Sequence, residues 1–179
     1  MSHKAQIDFC NKVKRTFPYY FKGKFVLDCG SLDINGNNRY LFDNCDYVGV
    51  DVCTGNNVDI VKPVHELEYP DGFFDTILST EMLEHDKYYA ESFQSMVRML
   101  KPKGLLFFTC ATNGRRVHGT AKRKPEDSPT HKINGWENYY KNLTENDFKS
   151  ILKFSDVFLK FDFEIEPNHH DLYFWGIKK

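Results

Sequence analysis

Long apolar runs are missing from this 179-residue chain. Leu105-Leu106-Phe107-Phe108 is a fraction of the roughly 20 residues that a bilayer-spanning helix needs, and Met1-Ser2-His3-Lys4-Ala5-Gln6 has no apolar signal region. No membrane role is therefore expected. Cysteines are few, odd in number and scattered: Cys10, Cys29, Cys45, Cys53 and Cys110 include no C-x-x-C pair for zinc or redox chemistry. That pattern implies a reduced, intracellular setting, and the chain is expected in the cytoplasm. An excess of either charge is missing too. With 24 basic and 25 acidic residues the formal charge is −1, which argues against a generally basic nucleic-acid binder while leaving a local patch open. What remains is 41% hydrophobic and 16% aromatic, enough for a substantial core in one domain over residues 1–179.

The stretch that organises the chain is Phe25-Val26-Leu27-Asp28-Cys29-Gly30. Its bulky apolar run after Lys22-Gly23-Lys24 predicts a short, buried strand that ends in an acid and a turn. Gly30 removes a Cβ where the backbone must leave the sheet and approach a ligand, and Asn35-Gly36-Asn37-Asn38 supplies residues that tolerate positive φ. A second strand, Tyr47 to Asp51, also ends in a carboxylate, 23 residues past Asp28. At about that distance an acid in a doubly wound sheet accepts hydrogen bonds from ribose hydroxyls, so a nucleoside ligand is expected. Taken singly, each acid also fits a simple turn former. The dinucleotide fingerprint G-x-G-x-x-G is absent, because five residues separate Gly30 from Gly36, and without it there is no pyrophosphate cradle.

Along the chain, Phe9, Cys10, Val13 and Phe17 at helical spacing predict an amphipathic helix over residues 3 to 17 that packs on the sheet and ends at Pro18. Tyr19, Tyr20 and Phe21 fit either a core or a lid. Only Gly36 to Asp46 join the first two strands, room for two helical turns or fewer. Asn57 to Val61 reads as a third strand, the apolar run after Phe74-Asp75 that leads into Glu81 as a fourth, and Leu105 to Thr109 as a fifth. Tyr89, Phe93, Met96, Val97 and Leu100 form a core stripe on the helix that Lys101-Pro102-Lys103-Gly104 stops. Thr144, with Asp147 three residues on and Leu143 against Phe148, marks a helix start. The runs Val157 to Ile165 and Leu172 to Ile177 read as a hairpin.

Asp28-Cys29-Gly30, the second acid Asp51, the segment from Gly72 to Glu81-Met82-Leu83-Glu84-His85, and Leu100-Lys101-Pro102-Lys103-Gly104 together resemble class I S-adenosylmethionine-dependent methyltransferases of the type 11-like kind. Leu32 and Ile34 stand where that family's first motif has its further glycines. The resemblance covers nearly the whole chain and implies a Rossmann-like α/β three-layer sandwich with a mostly parallel seven-stranded sheet and an antiparallel C-terminal hairpin. It implies S-adenosyl-L-methionine as cofactor, held by Asp28, Gly30, Ser31, Leu32, Asp51, Val52, Asp59, Ile60, Ser79, Thr80 and Glu81, with Asp51 on the ribose and Asp59 on the adenine. Some related enzymes, small-RNA 2′-O-methyltransferases among them, hold a divalent metal on an E-x-x-E-H set such as Glu81, Glu84 and His85. The resemblance as a whole implies none.

Methyl transfer from a sulfonium gains most from holding donor and acceptor in line. A hydroxyl or amine acceptor also has a proton to lose, which suits a histidine. His85 is the leading base and His118 the second choice, with helix capping as the plain alternative for His85. Residues 112–142 form a long insertion with cations and aromatics, of which Arg115, Arg116, Tyr139 and Tyr140 are the expected acceptor-binding residues. The expected function is methylation of an oxygen or nitrogen on a small-molecule or glycan-like acceptor, one whose phosphate or carboxylate those cations could receive. Two alternatives stay open: a nucleic-acid methyltransferase, 2′-O-directed for example, and a non-catalytic nucleoside-binding module.

Overall fold

A computed structural model describes residues 3–179. Met1 and Ser2, which begin the segment read as lacking a signal region, lie outside the described residues. The strands are β1 (Phe25–Cys29), β2 (Asp46–Asp51), β3 (Ile60–Val61), β4 (Phe74–Thr80), β5 (Leu100–Ala111), β6 (Phe158–Glu166) and β7 (Asp171–Lys178). They form a seven-stranded sheet in the order β3-β2-β1-β4-β5-β7-β6, parallel from β3 to β5 and antiparallel where β7 pairs with β5 and β6. The helices are α1 (Lys4–Thr16), α2 (Tyr89–Met99), α3 (Glu145–Ile151) and the single turn α4 (Phe154–Val157). None is long and apolar enough to cross a membrane.

Alternate residues of a strand face opposite sides, and the central strands are apolar on both. Leu27, Ile77, Leu106, Phe108 and Phe174 pack on Phe93 and Met96 of α2, Phe148 of α3 and Phe154 of α4. Their neighbours Val26, Leu78, Leu105, Phe107 and Tyr173 pack on Phe9, Cys10 and Val13 of α1, with Phe21 and Leu41. Continuous apolar runs are what a parallel sheet covered on both faces requires. The result is three layers, and α1 with two 3₁₀ turns is the thinner outer one. At α3 the expected cap is complete: Thr144 Oγ1 accepts from Asp147 N, while Asp147 accepts from Thr144 N.

Two readings of the sequence need correction. The third strand is shorter than Asn57 to Val61, because Asn57 adopts a left-handed φ of 73° and the Asp59 carboxylate is drawn back onto Gly49 N at 2.7 Å. Only Ile60 and Val61 pair with β2. The segment Lys101 to Gly104 ends α2 but already belongs to β5, where the pairing with β4 shifts register between Phe74 and Thr76.

The order reverses at β1, which has β2 on one side and β4 on the other. In doubly wound sheets ligands bind at such a switch point, outside the carboxyl ends of the strands. Those ends are Cys29, Asp51 and Thr80.

Candidate active site

At the end of β1 the backbone turns at Gly30, whose φ is 85°. A Cβ on Gly30 would lie 2.4 Å from Met82 Cβ, so the first loop and the turn after β4 touch through this position. Gly30→Ala should therefore cost on the order of 1–3 kcal/mol, read as a lower denaturant midpoint, and an unchanged midpoint would mean that the two loops part without cost. Gly30 N and Ser31 N both donate to Val50 O, at 2.8 and 3.0 Å. Leu32 N donates to Asp51 Oδ2 at 3.1 Å and Cys53 N to Asp51 Oδ1 at 3.3 Å. Where the family's further glycines are missing, side chains close the loop: Asp33 accepts from Gly36 N at 2.7 Å and from Asn37 Nδ2 at 2.8 Å. This is the Asx turn that such residues favour.

These loops enclose a cavity of about 300 Å³ whose lining includes Asp28, Asp51, Glu81 and His85. Asp28 is buried; its Oδ2 accepts from the Tyr47 hydroxyl at 2.5 Å, and its Oδ1 has no partner. Burial pushes its carboxyl up to about 6, and burial likewise raises that of Asp51, against the pull of the backbone N–H groups it accepts from. A buried carboxylate oxygen without a donor costs free energy unless a ligand supplies one.

Beyond Glu81 lies a second group. Glu84, His85 and His118 are buried, and one oxygen or nitrogen from each lies within 4.8 Å of the others. The two imidazoles meet edge to face at 5.0 Å, and the Tyr140 ring is 5.4 Å from His85 and 5.1 Å from His118. Both Glu84 oxygens, both His85 nitrogens, His118 Nε2 and the Tyr140 hydroxyl lack hydrogen-bond partners. His118 Nδ1 contacts the Arg116 carbonyl at 3.0 Å. A carbonyl only accepts, so Nδ1 carries the proton and Nε2 presents its lone pair to the group. Burial holds His85 well below the usual imidazole range and lowers His118 as well, while burial and the Glu81 charge push Glu84 up. The imidazoles are thus neutral at neutral pH, able to take a proton or to bind a cation.

A family profile described as a methyltransferase domain matches residues 1–167. This chain belongs to that methyltransferase family. Solved structures agree on the fold. The 1,6-didemethyltoxoflavin-N1-methyltransferase of Burkholderia thailandensis, with bound 1,6-didemethyltoxoflavin and S-adenosylhomocysteine, superposes with a TM-score of 0.58 at 16% identity, over 100% of this chain and 92% of that one. Phosphoethanolamine N-methyltransferase 2 of Haemonchus contortus, in complex with S-adenosyl-L-methionine, gives 0.65 at 16% identity, over 96% of this chain and 52% of that one. This methyltransferase thus spans about half the length of the latter. The PH0226 protein of Pyrococcus horikoshii gives 0.62 at 17% identity, over 99% and 93%. No curated protein matches the chain.

Of the residues expected to hold the cofactor of this methyltransferase, Asp28, Gly30, Ser31, Leu32, Asp51, Val52, Thr80 and Glu81 line the cavity, as does His85. Asp59, Ile60 and Ser79 are not in the lining. Asp59 is occupied with Gly49 N and with Arg39, 2.7 Å away; Lys62, Pro63 and Val64 line that side instead. His118 sits behind His85. Arg115 is a correction of a different kind: it donates to Asp171 Oδ1 at 3.1 Å and to the His169 carbonyl at 2.6 Å, bound within the fold. Arg116 is exposed, and Tyr139 and Tyr140 lie outside the lining. Nor do Tyr19, Tyr20 and Phe21 reach the cavity: Phe21 is core and Tyr19 is 71% exposed.

Sequence reasoning missed Gln6, Ile7 and Cys10 of α1, and Asp127 to Thr130 with Trp136 of the insertion. Gln6 and Cys10 are four residues apart, on one helical face, so the signal was present; a polar residue on that face was the clue. Gln6 is 4% exposed and its Oε1 has no partner.

Proposed function

We propose that this chain transfers the methyl group of S-adenosylmethionine to an oxygen or nitrogen of a small-molecule acceptor. One observation carries the reading: a single cavity joins the paired carboxylates of Asp28 and Asp51 to Glu81 and His85. Nucleoside recognition lies at one end, and groups able to handle an acceptor proton lie at the other. The donor brings an electrophilic methyl group on a sulfonium, so no nucleophile from the protein is needed. Asp51, fixed by two backbone N–H groups, accepts from the ribose hydroxyls. The free Oδ1 of Asp28 and Oε1 of Gln6 accept further donor N–H or O–H groups, and Leu32, Val52, Pro63 and Val64 form the apolar wall. The Glu84–His85–His118 group, reached through His85, deals with the acceptor's proton.

The small-molecule class is supported by the compounds bound in two fold neighbours, 1,6-didemethyltoxoflavin in one and phosphomonomethylethanolamine in the other. We read residues 1–179 as one domain, with 112–142 as the acceptor-side cover, and its five free cysteines as the mark of a cytoplasmic protein.

The test has two arms. Calorimetry with S-adenosylhomocysteine should give saturable one-to-one binding; none at millimolar ligand, with the protein folded, overturns the donor. Labelled methyl groups from the donor, offered with a cell extract, should then appear in the small-molecule fraction. Label confined to RNA or protein overturns the acceptor class.

A further inference from the structure

We propose that the acceptor is an amine of net positive charge, bound through its ammonium at the end of the cavity where Glu81 and Asp127 stand, and methylated on that nitrogen. The proposal rests on the donor reading above and deepens it by naming the class of acceptor. That class has the opposite charge to the phosphate or carboxylate expected from the sequence.

Its first support is the charge of the wall. Besides His85, the ionisable acids and bases of the lining are Asp28, Asp51, Glu81, Asp86 and Asp127 on one side and Lys62 alone on the other. Lys62 follows β3 and meets Glu68 at 3.4 Å. Arg115 and Arg116, the cations expected to receive an anion, are absent from the lining. Asp28 and Asp51 serve the donor, and Asp86 is engaged within the fold, accepting from Tyr88 N at 2.8 Å and from the Ser92 hydroxyl at 2.5 Å. Glu81 and Asp127 remain, and the Asp127 charge reaches His118, which places it at the acceptor end. An anion brought there meets like charge in a site shielded from water. An ammonium meets the reverse, and the same acids offset its repulsion from the donor's sulfonium.

The second support is Glu81 itself. It is 8% exposed, and neither of its oxygens has a hydrogen-bond partner. The Arg115 guanidinium is 3.9 Å away, but it donates to Asp171 Oδ1 and to the His169 carbonyl and so balances Asp171. Glu84, whose two oxygens are also unpartnered, adds a further buried acid behind. Folded proteins rarely leave buried carboxylates without donors, and an ammonium brings three N–H groups together with the missing charge. Glu81 also holds a left-handed φ of 55°, a conformation that is costly for a residue with a side chain and that persists where a site fixes it.

The chemistry closes on the same wall. The ammonium gives one proton to a nitrogen of His85, whose ring is neutral and unpartnered, and this frees the amine lone pair. That pair attacks the methyl carbon; the C–N bond forms as the C–S bond breaks, and its electrons stay on sulfur as the thioether of S-adenosylhomocysteine. The product leaves as a methylammonium, and His85 returns its proton to water.

A cell extract freed of protein is split on a cation exchanger at neutral pH into retained small bases and unretained acids and neutral compounds. Each fraction is offered to the full chain with methyl-labelled S-adenosylmethionine, and products are separated from the donor by chromatography. Label should enter products from the retained fraction alone. Product from the unretained fraction overturns the proposal and leaves the donor reading standing. So does product from neither fraction while S-adenosylhomocysteine still binds; loss of that binding as well sinks the donor reading. With the acceptor isolated through its label, Glu81→Gln should raise its KM at least tenfold and leave the Kd of S-adenosylhomocysteine within about threefold. The opposite split gives Glu81 to the donor and overturns its role here. If circular dichroism shows that Glu81→Gln does not fold, Asp127→Asn is measured in its place, and an unchanged acceptor KM there overturns the site.

Discussion

Asp51→Ala should weaken S-adenosylhomocysteine binding at least tenfold, with the chain still folded. The Asp51 carboxylate does two things at once. It accepts from Leu32 N and Cys53 N at 3.1 and 3.3 Å, which shapes the loop after β1, and it faces the cavity with 8% of its surface exposed. A hydrogen bond to a charged acceptor contributes about 1.5–3 kcal/mol, and a loss of about 1.4 kcal/mol is already a factor of ten in Kd. Asp51→Asn keeps an oxygen for the loop but loses the charge, so its affinity should fall between wild type and alanine. Since burial raises the Asp28 carboxyl to about 6 and also lifts that of Asp51, protonation begins above the usual carboxylate range. Donor affinity should therefore decline as the pH is lowered through 6. Calorimetry at pH 7.5 and 5.5 tests both statements; an unchanged Kd for Asp51→Ala removes this residue from the site.

What the sequence revealed of this site is what lies close together along it. Asp28, Gly30 and Asp51 stand at strand ends, and a strand's end is marked by the residues that stop it, so their convergence at the β1–β4 reversal could be read before any coordinates. The central strands were legible for the same reason, since short continuous apolar runs state their own burial. Asp59 misled because a strand-end acid and a loop-tying acid look alike in sequence; what separates them is Arg39, twenty positions away. Glu84 and His118 could not be paired from the sequence, because 33 residues, including all of α2 and β5, intervene and no periodicity links them. The same is true of His3 and Asp171, which meet at 2.6 Å across nearly the whole length of the chain.

Arg115 shows most sharply how a motif-based reading and a folded environment diverge, and Arg115→Ala should lower stability by up to about 3–5 kcal/mol, the cost of removing one partner of a buried ion pair, with His3 Nε2, 2.6 Å from Asp171 Oδ2, left as the partner that remains. The Asp171 carboxylate is fully buried, and the Arg115 side chain is 18% exposed, so solvent screens the pair little. Glu81, 3.9 Å from the guanidinium, loses a nearby cation at the same time. For a chain of this length each kcal/mol moves the melting point by about 2–4 °C, so Tm should drop by roughly 10 °C. Arg116→Ala, at an exposed position, should stay within about 0.5 kcal/mol of wild type. Adding Asp171→Asn to Arg115→Ala removes the stranded charge and should restore part of the loss, as coupled partners do in a double-mutant cycle. Were Arg115 instead an acceptor-binding cation, its alanine variant would melt near wild type and show only a raised acceptor KM, and the double variant would be no more stable than either single one.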